Sequence, residues 1–270
     1  MKTVFFDIDG TLIDPVTDFK IPDSALAAIK KLQKCGHLAF INTGRTASFI
    51  DSNITQAGFD GFIYGCGTMI SYHDEVLLHN SLSEKTMENL VRMLRECKID
   101  GVLEGIEKCY FDYNGIIRDP FFKKLSEAPS YLRGSFEDEG KSADKLYIFC
   151  GSYSDFTGFH DFFKEEFQFI DRGRGFYEMV PHGFSKATGI HVLVERLRKD
   201  AAEKNLSFMP SMEETYAIGD STNDIPMLEA VSKSIAMGNS MEEVLNMTDF
   251  VTKRIEEDGI AYASENIVLK

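Results

Sequence analysis

The chain has 270 residues, 43% of them hydrophobic and 27% charged, which suits one large domain or two modest ones and excludes a disordered or fibrous protein. Its 29 Lys and Arg stand against 43 Asp and Glu, a net charge of -14, so the positive field that nucleic-acid and anionic-membrane binders carry is missing. No stretch approaches the roughly 18 to 20 apolar residues of a membrane helix, no export signal is visible, and the cysteines at 35, 66, 97, 109 and 150 form no CxxC pair. These features predict a cytoplasmic protein with reduced thiols, no nucleic-acid partner and no membrane partner.

Residues 2 to 6 are β-rich with little alternation, as in a strand buried on both faces of a parallel sheet. Asp23 precedes a helical stripe of Ala25, Ala28, Ile29 and Leu32 that ends at Gly36. A strand is expected over 37 to 43, a helix over 47 to 57 and a third strand over 61 to 65. The middle of the chain reads differently. Ser81 and Glu84 suggest a capping box before a helix carrying Met87, Leu90, Val91 and Leu94. Strands follow at 102 to 104, 109 to 113, 145 to 150 and 176 to 180, with a helix bearing Phe156, Phe159, Phe163 and Phe167 among them. The first pattern returns with the stripe Ile190, Leu193, Val194 and Leu197, a strand at 215 to 219 and a helix through Met227 and Leu228. The expected fold is therefore α/β, a doubly wound, Rossmann-like parallel-sheet core of residues 1–82 plus 181–270, interrupted by an inserted α+β unit of residues 83–180.

Four short motifs fall at strand ends or helix starts. Asp7-Ile8-Asp9-Gly10-Thr11 puts two carboxylates at the end of the first strand, where they would repel by about 4 kcal/mol at ~4 Å and an effective dielectric near 20. A hard divalent cation such as Mg²⁺ would relieve that repulsion. Thr43-Gly44-Arg45 closes the second strand before a helix, a place where a hydroxyl and backbone N–H groups can hold an anion. Lys186, after Phe184 and Ser185, is a cation at a helix start, opposed by the helix dipole and so calling for an anion. Gly219-Asp220-Ser221-Thr222-Asn223-Asp224 again follows a buried strand and precedes a helix with Pro226 in its first turn. Each motif alone reads equally as an ordinary turn or N-cap. Together they converge on the one edge of an α/β sheet where such folds bind ligands.

The residues DIDGT, NTGR, the lysine of FSK and GDSTND, in this order, resemble the four motifs of the haloacid dehalogenase (HAD) superfamily of phosphatases. The insertion between Arg45 and Lys186 resembles the C2-type cap of the Cof-like subfamily, so the resemblance spans essentially the whole chain. It implies hydrolysis of a phosphate monoester of a small metabolite, with sugar phosphates as the expected class. By resemblance Asp7 is the nucleophile that forms an aspartyl-phosphate and Asp9 is the general acid and base. Mg²⁺ would be held by Asp7, by the Asp9 backbone carbonyl and by Asp220. Thr43, Gly44, Arg45, Lys186 and Asn223 would serve the phosphate, with Asn223 and Asp224 supporting Lys186 and the metal's surroundings. The inserted cap would choose the substrate.

Two positions are weighed separately. The loop Gly65-Cys66-Gly67-Thr68 stands where many relatives look like Asn-Gly-Ala, and Cys66 in it reads as a small packed residue rather than a nucleophile; His182 could brush the substrate. The sequence leaves open which of Tyr110, Tyr113, Arg118 and Lys145 face the substrate, and whether the chain is a monomer or a homodimer. It also leaves open transfer to a second sugar, as in a phosphomutase, and a non-catalytic regulatory module on the same fold.

Overall fold

A computed structural model describes residues 1–16, 19–73, 75–127, 132–205 and 209–270. The chain divides into two compact units, one of residues 1–44, 50–78 and 185–270, the other of residues 45–49 and 79–184. The first unit opens with β1 (Thr3–Phe6), α1 (Asp23–Lys34), β2 (Leu38–Asn42), α2 (Ser52–Thr55), β3 (Gly61–Tyr64), β4 (Met69–Tyr72) and all but the last residue of β5 (Glu75–His79). The second contributes α3 (Glu84–Glu96), β6 (Asp100–Glu104), β7 (Cys109–Phe111), α4 (Pro120–Ser126), β8 (Arg133–Ser135), β9 (Lys145–Phe149), α5 (Phe156–Phe163), β10 (Phe167–Asp171) and β11 (Phe176–Pro181). The chain then re-enters the first unit with α6 (Lys186–Glu203), β12 (Thr215–Gly219), α7 (Ile225–Ala230), β13 (Lys233–Ala236), α8 (Glu242–Met247), β14 (Phe250–Val251) and α9 (Gly259–Ala263).

In the first unit the strand order is β14-β13-β12-β1-β2-β3-β4-β5. The pairs from β14 through β3 are parallel and β4 runs antiparallel to β3. β1 is central because every residue of TVFF is buried, as a strand covered on both faces requires. Side chains alternate across the sheet, so Phe5, its register partners Phe40 and Ala217, and Ile63 share one face. Against that face α6 lays Ile190, Leu193, Val194 and Leu197, the stripe read from the sequence. The helix comes close to the sheet at Gly189, where an added Cβ would stand 2.5 Å from Ile63 Cγ2.

The second unit is a sheet of order β10-β11-β9-β6-β7-β8, antiparallel except between β7 and β8. One face packs Leu103, Leu146, Ile148 and Met179 against Leu90 and Leu94 of α3 and Phe159 and Phe163 of α5. Val102, Cys109 and Phe111 form a separate cluster with Phe122 of α4.

The α/β core with an α+β insertion is as expected, and the local differences have physical causes. The predicted helix over 47–57 is a 3₁₀ turn at Ala47–Phe49 and the single-turn α2. Residues 45–49 group with the second unit because Ser48 Oγ donates to the Gly105 carbonyl at 2.8 Å and Phe49 packs on the Phe111–Phe122 cluster. Ser83, not Ser81, caps α3 and accepts Thr86 N–H at 3.1 Å; Ser81 is spent on Ser142. Phe167 leaves the Phe-rich helix to open β10, where it pairs with Pro181. Pro22 rather than Asp23 precedes the first turn of α1, leaving Asp23 inside it, favourably placed for the helix dipole.

Phe40 is fully buried between the sheet and α6. Phe40→Ala should lower the unfolding free energy by about 3–5 kcal/mol, read from urea denaturation, because the rigid sheet cannot collapse into the space. A loss below about 1 kcal/mol would contradict this packing.

Candidate active site

Asp7 lies one residue beyond β1 and its N–H donates to Ile218 O of β12 at 3.0 Å, so the sheet fixes the start of this loop. The loop turns at Gly10, whose φ of +83° favours glycine and whose added Cβ would come 2.2 Å from Asp220 Oδ2. Glycine thereby lets the loop after β1 lie directly against the carboxylate that follows β12. Thr11 Oγ1 donates to Asp220 Oδ1 at 3.4 Å, and Asn239 Nδ2 donates to the Gly10 carbonyl at 2.7 Å.

Lys186 is the first residue of α6. Ser185 Oγ accepts Thr188 N–H at 3.1 Å while Thr188 Oγ1 accepts Ser185 N–H at 2.9 Å, a reciprocal capping box that defines where the helix begins. A lysine there opposes the dipole, and the structure supplies the anions. Lys186 Nζ donates to Asp7 Oδ1 at 2.7 Å and to Asp224 Oδ1. Asp224 directs its other oxygen to the N–H groups of Asp220 (2.9 Å) and Ser221 (3.1 Å). It therefore holds both the ammonium and the loop after β12. Lys186, Asp7 and Asp224 are 1%, 4% and 0% exposed, whereas Asp220 is half-buried.

Asp7, Asp220 and Asp224 each offer a carboxylate oxygen, and these oxygens lie within 4.8 Å of one another. The electrostatics follow from that crowding. Burial, then the Asp224 charge, raise Asp7 to about 7 against the pull of Lys186, and Asp9 adds to the rise. Burial, then Asp7 and Asp224, raise Asp220 to about 8. Burial alone would depress Lys186, but the Asp224 and Asp7 carboxylates more than offset it and hold the lysine above its ordinary range. The donors are hard oxygens, the negative charge exceeds what one ammonium neutralises, and glycine keeps the space beside Asp220 clear of a Cβ. This fits a hard divalent cation such as Mg²⁺. Asp7 and Asp220 are the residues that could hold such an ion, because Asp224 already serves Lys186 and two backbone N–H groups.

The other residues expected from the motifs lie as follows. Asp9 is half-exposed in the loop after β1. Thr43, buried, and Gly44 follow β2 beside β1, with Thr43 N–H donating to Ile63 O. Arg45 belongs to the second unit, where Nη1 donates to the Phe49 carbonyl at 3.1 Å. Asn223 Oδ1 accepts the Ser221 hydroxyl at 2.6 Å, and the Lys186 ammonium donates instead to Asp224 and Asp7. Cys66 is 2% exposed with a left-handed φ of 55°. His182 Nε2 contacts the Lys164 carbonyl, and Lys145 is buried between Glu178 and Glu104 at 2.5 and 3.1 Å. Sequence reasoning missed Asn42, fully buried, whose Nδ2 donates to the Lys186 carbonyl at 2.9 Å, and Asn239. An amide in an apolar strand end and another in a loop carry no sequence signal of their targets.

The raised carboxyls have a consequence for stability. In the unfolded chain both ionise near pH 4, whereas in the folded protein they do so near 7 and 8. Between pH 4 and 8 the native state therefore binds more protons than the unfolded state, and stability falls as pH rises through that window. In metal-free buffer Asp220→Asn should flatten the decline in urea midpoint between pH 5 and 8.5 relative to wild type. An unchanged slope in the variant would contradict the raised ionisation range of Asp220.

Comparison with known proteins places this geometry. The model of the haloacid dehalogenase-like hydrolase family matches residues 4–263. The Bacillus subtilis (strain 168) protein named "Putative phosphatase YkrA" is 31% identical over 282 residues, covering 99% of this chain and 98% of that protein. The crystal structure of a hypothetical protein from Geobacillus kaustophilus HTA426 superposes with a TM-score of 0.81 at 28% identity, covering 100% of this chain and 99% of the other. The HAD subclass IIB sugar phosphatase BT4131 shares the fold with a TM-score of 0.77 at 23% identity, covering both chains completely. Among the described residues no helix is long and apolar enough to cross a membrane. With its family model spanning nearly the whole chain, this protein belongs to the haloacid dehalogenase-like hydrolases and is an enzyme.

Proposed function

We propose that the protein is a Mg²⁺-dependent phosphatase of small phosphorylated metabolites, sugar phosphates foremost, working through an aspartyl-phosphate on Asp7. The observation that carries this reading is the buried Lys186 ammonium between Asp7 and Asp224, with Asp220 alongside. A protein of net charge -14 that binds a phosphate dianion needs such a local cation. The relatives named as phosphatases support the reaction class, and the subclass IIB sugar phosphatase supports the substrate class through its shared fold.

In the reaction an Asp7 carboxylate oxygen attacks phosphorus and the P–O ester bond breaks, its electron pair leaving on the alkoxide. Asp9 supplies the proton that makes the alkoxide an alcohol, then removes a proton from water as water attacks the phospho-Asp7. The P–O bond to Asp7 breaks, releasing inorganic phosphate and restoring the carboxylate. Lys186 draws charge from the phosphate oxygens as it develops, and Asp224 keeps that ammonium in place and protonated. Asp7, Asp220 and the Asp9 carbonyl would hold Mg²⁺, which would supply further neutralisation of the phosphate and relieve the Asp7–Asp220 repulsion. Thr43 and Gly44 serve phosphate oxygens, as do Arg45 and Asn223. Among the described residues the acidic cluster is built from Asp7, Asp220 and Asp224, and we assign residues 83–180 the choice of the organic part of the substrate.

Release of phosphate from p-nitrophenyl phosphate and from a sugar phosphate, with water as the acceptor, should require Mg²⁺ and stop on chelation. Turnover in metal-free buffer equal to that with Mg²⁺ would remove the metal from the reading. Asp7→Asn should lower kcat by about 10⁴-fold or more, since an amide does not attack phosphorus, and covalent phosphorylation surviving in that variant would place the nucleophile elsewhere. Asp9→Asn should lower kcat by about 10²–10⁴-fold on the sugar phosphate but much less on the aryl ester, whose leaving group needs no proton. Equal losses on the two substrates would leave Asp9 without a proton-transfer role.

A further inference from the structure

Asn42 ends β2 on the sheet face that α6 covers. Phe40, two residues earlier on that face, packs with Ile190, Leu193 and Val194, and Ile63, the register partner of Asn42, belongs to the same apolar cluster. A leucine would continue this stripe. Instead the position holds an amide that is 0% exposed. Its Nδ2 donates 2.9 Å to the backbone carbonyl of Lys186, and its Oδ1 has no hydrogen-bond partner among the described residues. Reversing the amide would set its oxygen against the Lys186 carbonyl, acceptor against acceptor, so the observed orientation is the one the chemistry allows. A half-satisfied amide at a dry site stabilises a fold less than an apolar side chain of the same shape. Packing therefore gives a poor account of Asn42.

Its single bond falls on the residue whose ammonium bridges Asp7 and Asp224. The capping box at Ser185 and Thr188 defines where α6 begins, and the close approach at Gly189 sets the distance of its first turn from the sheet. The bond from Asn42 adds a tie between the sheet and the backbone of Lys186 itself. The register Phe5↔Phe40, Phe6↔Ile41, extended by one step, sets Asp7 beside Asn42 on the neighbouring strand. Asn42 thus references the lysine's backbone to the strand ends that present the nucleophile.

We propose that Asn42 is a positioning residue, which holds the Lys186 backbone so that its ammonium meets the phosphate carried by Asp7. The proposal rests on the reading of Lys186 as the cation of the phosphate site. A displacement of about 1 Å in a group that neutralises transition-state charge is enough to lower turnover by about 10²-fold.

The test compares wild type, Asn42→Leu, Asn42→Ser and Lys186→Met in the full chain with saturating Mg²⁺, measuring kcat and KM on p-nitrophenyl phosphate together with the thermal midpoint. Leucine removes the tie and the unpaired oxygen while keeping the same branched four-heavy-atom side chain; serine keeps a hydroxyl too short to replace the bond. The expected result for Asn42→Leu is a thermal midpoint equal to or above wild type with kcat lower by about 10- to 100-fold, while Lys186→Met is lower still. A merely structural residue would move the two readouts together. A parallel fall of midpoint and kcat in both Asn42 variants, or failure of both to fold, overturns the proposal. Wild-type kcat in Asn42→Leu beside an inactive Lys186→Met overturns it while leaving the lysine's role intact. Wild-type kcat in Lys186→Met overturns the reading of the lysine, and the proposal with it.

Discussion

The structure of the site depends on one buried ammonium. Lys186 carries its charge from the first residue of a helix, where the dipole disfavours it, into a region where water does not reach it. Only the Asp7 and Asp224 carboxylates make that position tenable. The reverse holds as well, because removing the lysine would leave two buried carboxylates facing each other and a third nearby. Burial, and with it the negative charge left by three carboxylates against one ammonium, raises the pKa of Asp7 and Asp220. The protein alone does not balance this site, and the imbalance has the sign that a metal cation corrects.

Backbone geometry brings the charges together. Gly10 removes the Cβ that would collide with Asp220, and Gly189 removes the one that would hold α6 away from Ile63. Asp224 converts the ladder of β12 into a fixed loop by accepting two consecutive N–H groups, so the same side chain orients Asp220 and restrains Lys186. Amides complete the framework at carbonyls, Asn239 on Gly10 and Asn42 on Lys186. Charged groups carry the electrostatics, while glycines and neutral amides set the distances at which those charges act.

Much of this was legible in the sequence. The buried β1, the α6 stripe and the motif order were visible because they depend on local pattern, and the charged residues Asp7, Lys186, Asp220 and Asp224 announced themselves by occupying strand ends and a helix start. Features decided by distant partners were not. The stretch 47–57 has helical composition, but Ser48 and Phe49 are held by Gly105 and the Phe111–Phe122 cluster, which break the helix and draw residues 45–49 into the second unit. Phe167 fits a helical spacing with Phe163 but is captured by Pro181 across a strand pair. Asn42 falls inside the expected strand over 37–43, and only the folded chain shows that its amide reaches a lysine 144 positions away.

That separation has an energetic meaning. The Lys186–Asp7 bond spans 179 positions, and the cluster exists only after β1, β2, β12 and α6 have come together. Loop closure on that scale contributes nothing locally, so the sheet and the α6 stripe must supply the stability before the site can form. The apolar face built by Phe5, Phe40, Ile63 and Ala217 has this role: it holds α6 against the sheet through contacts that are indifferent to pH and to ions. At its upper end the same face changes character, from Phe40 to Asn42 on β2 and from Phe5 to Asp7 on β1, two residues apart in each case. The alternation of a β-strand thus carries one surface from core to chemistry without a change of element. The polar end weakens the fold and the apolar end compensates, so the position of that boundary sets how much unfavourable charge the enzyme tolerates in its resting state.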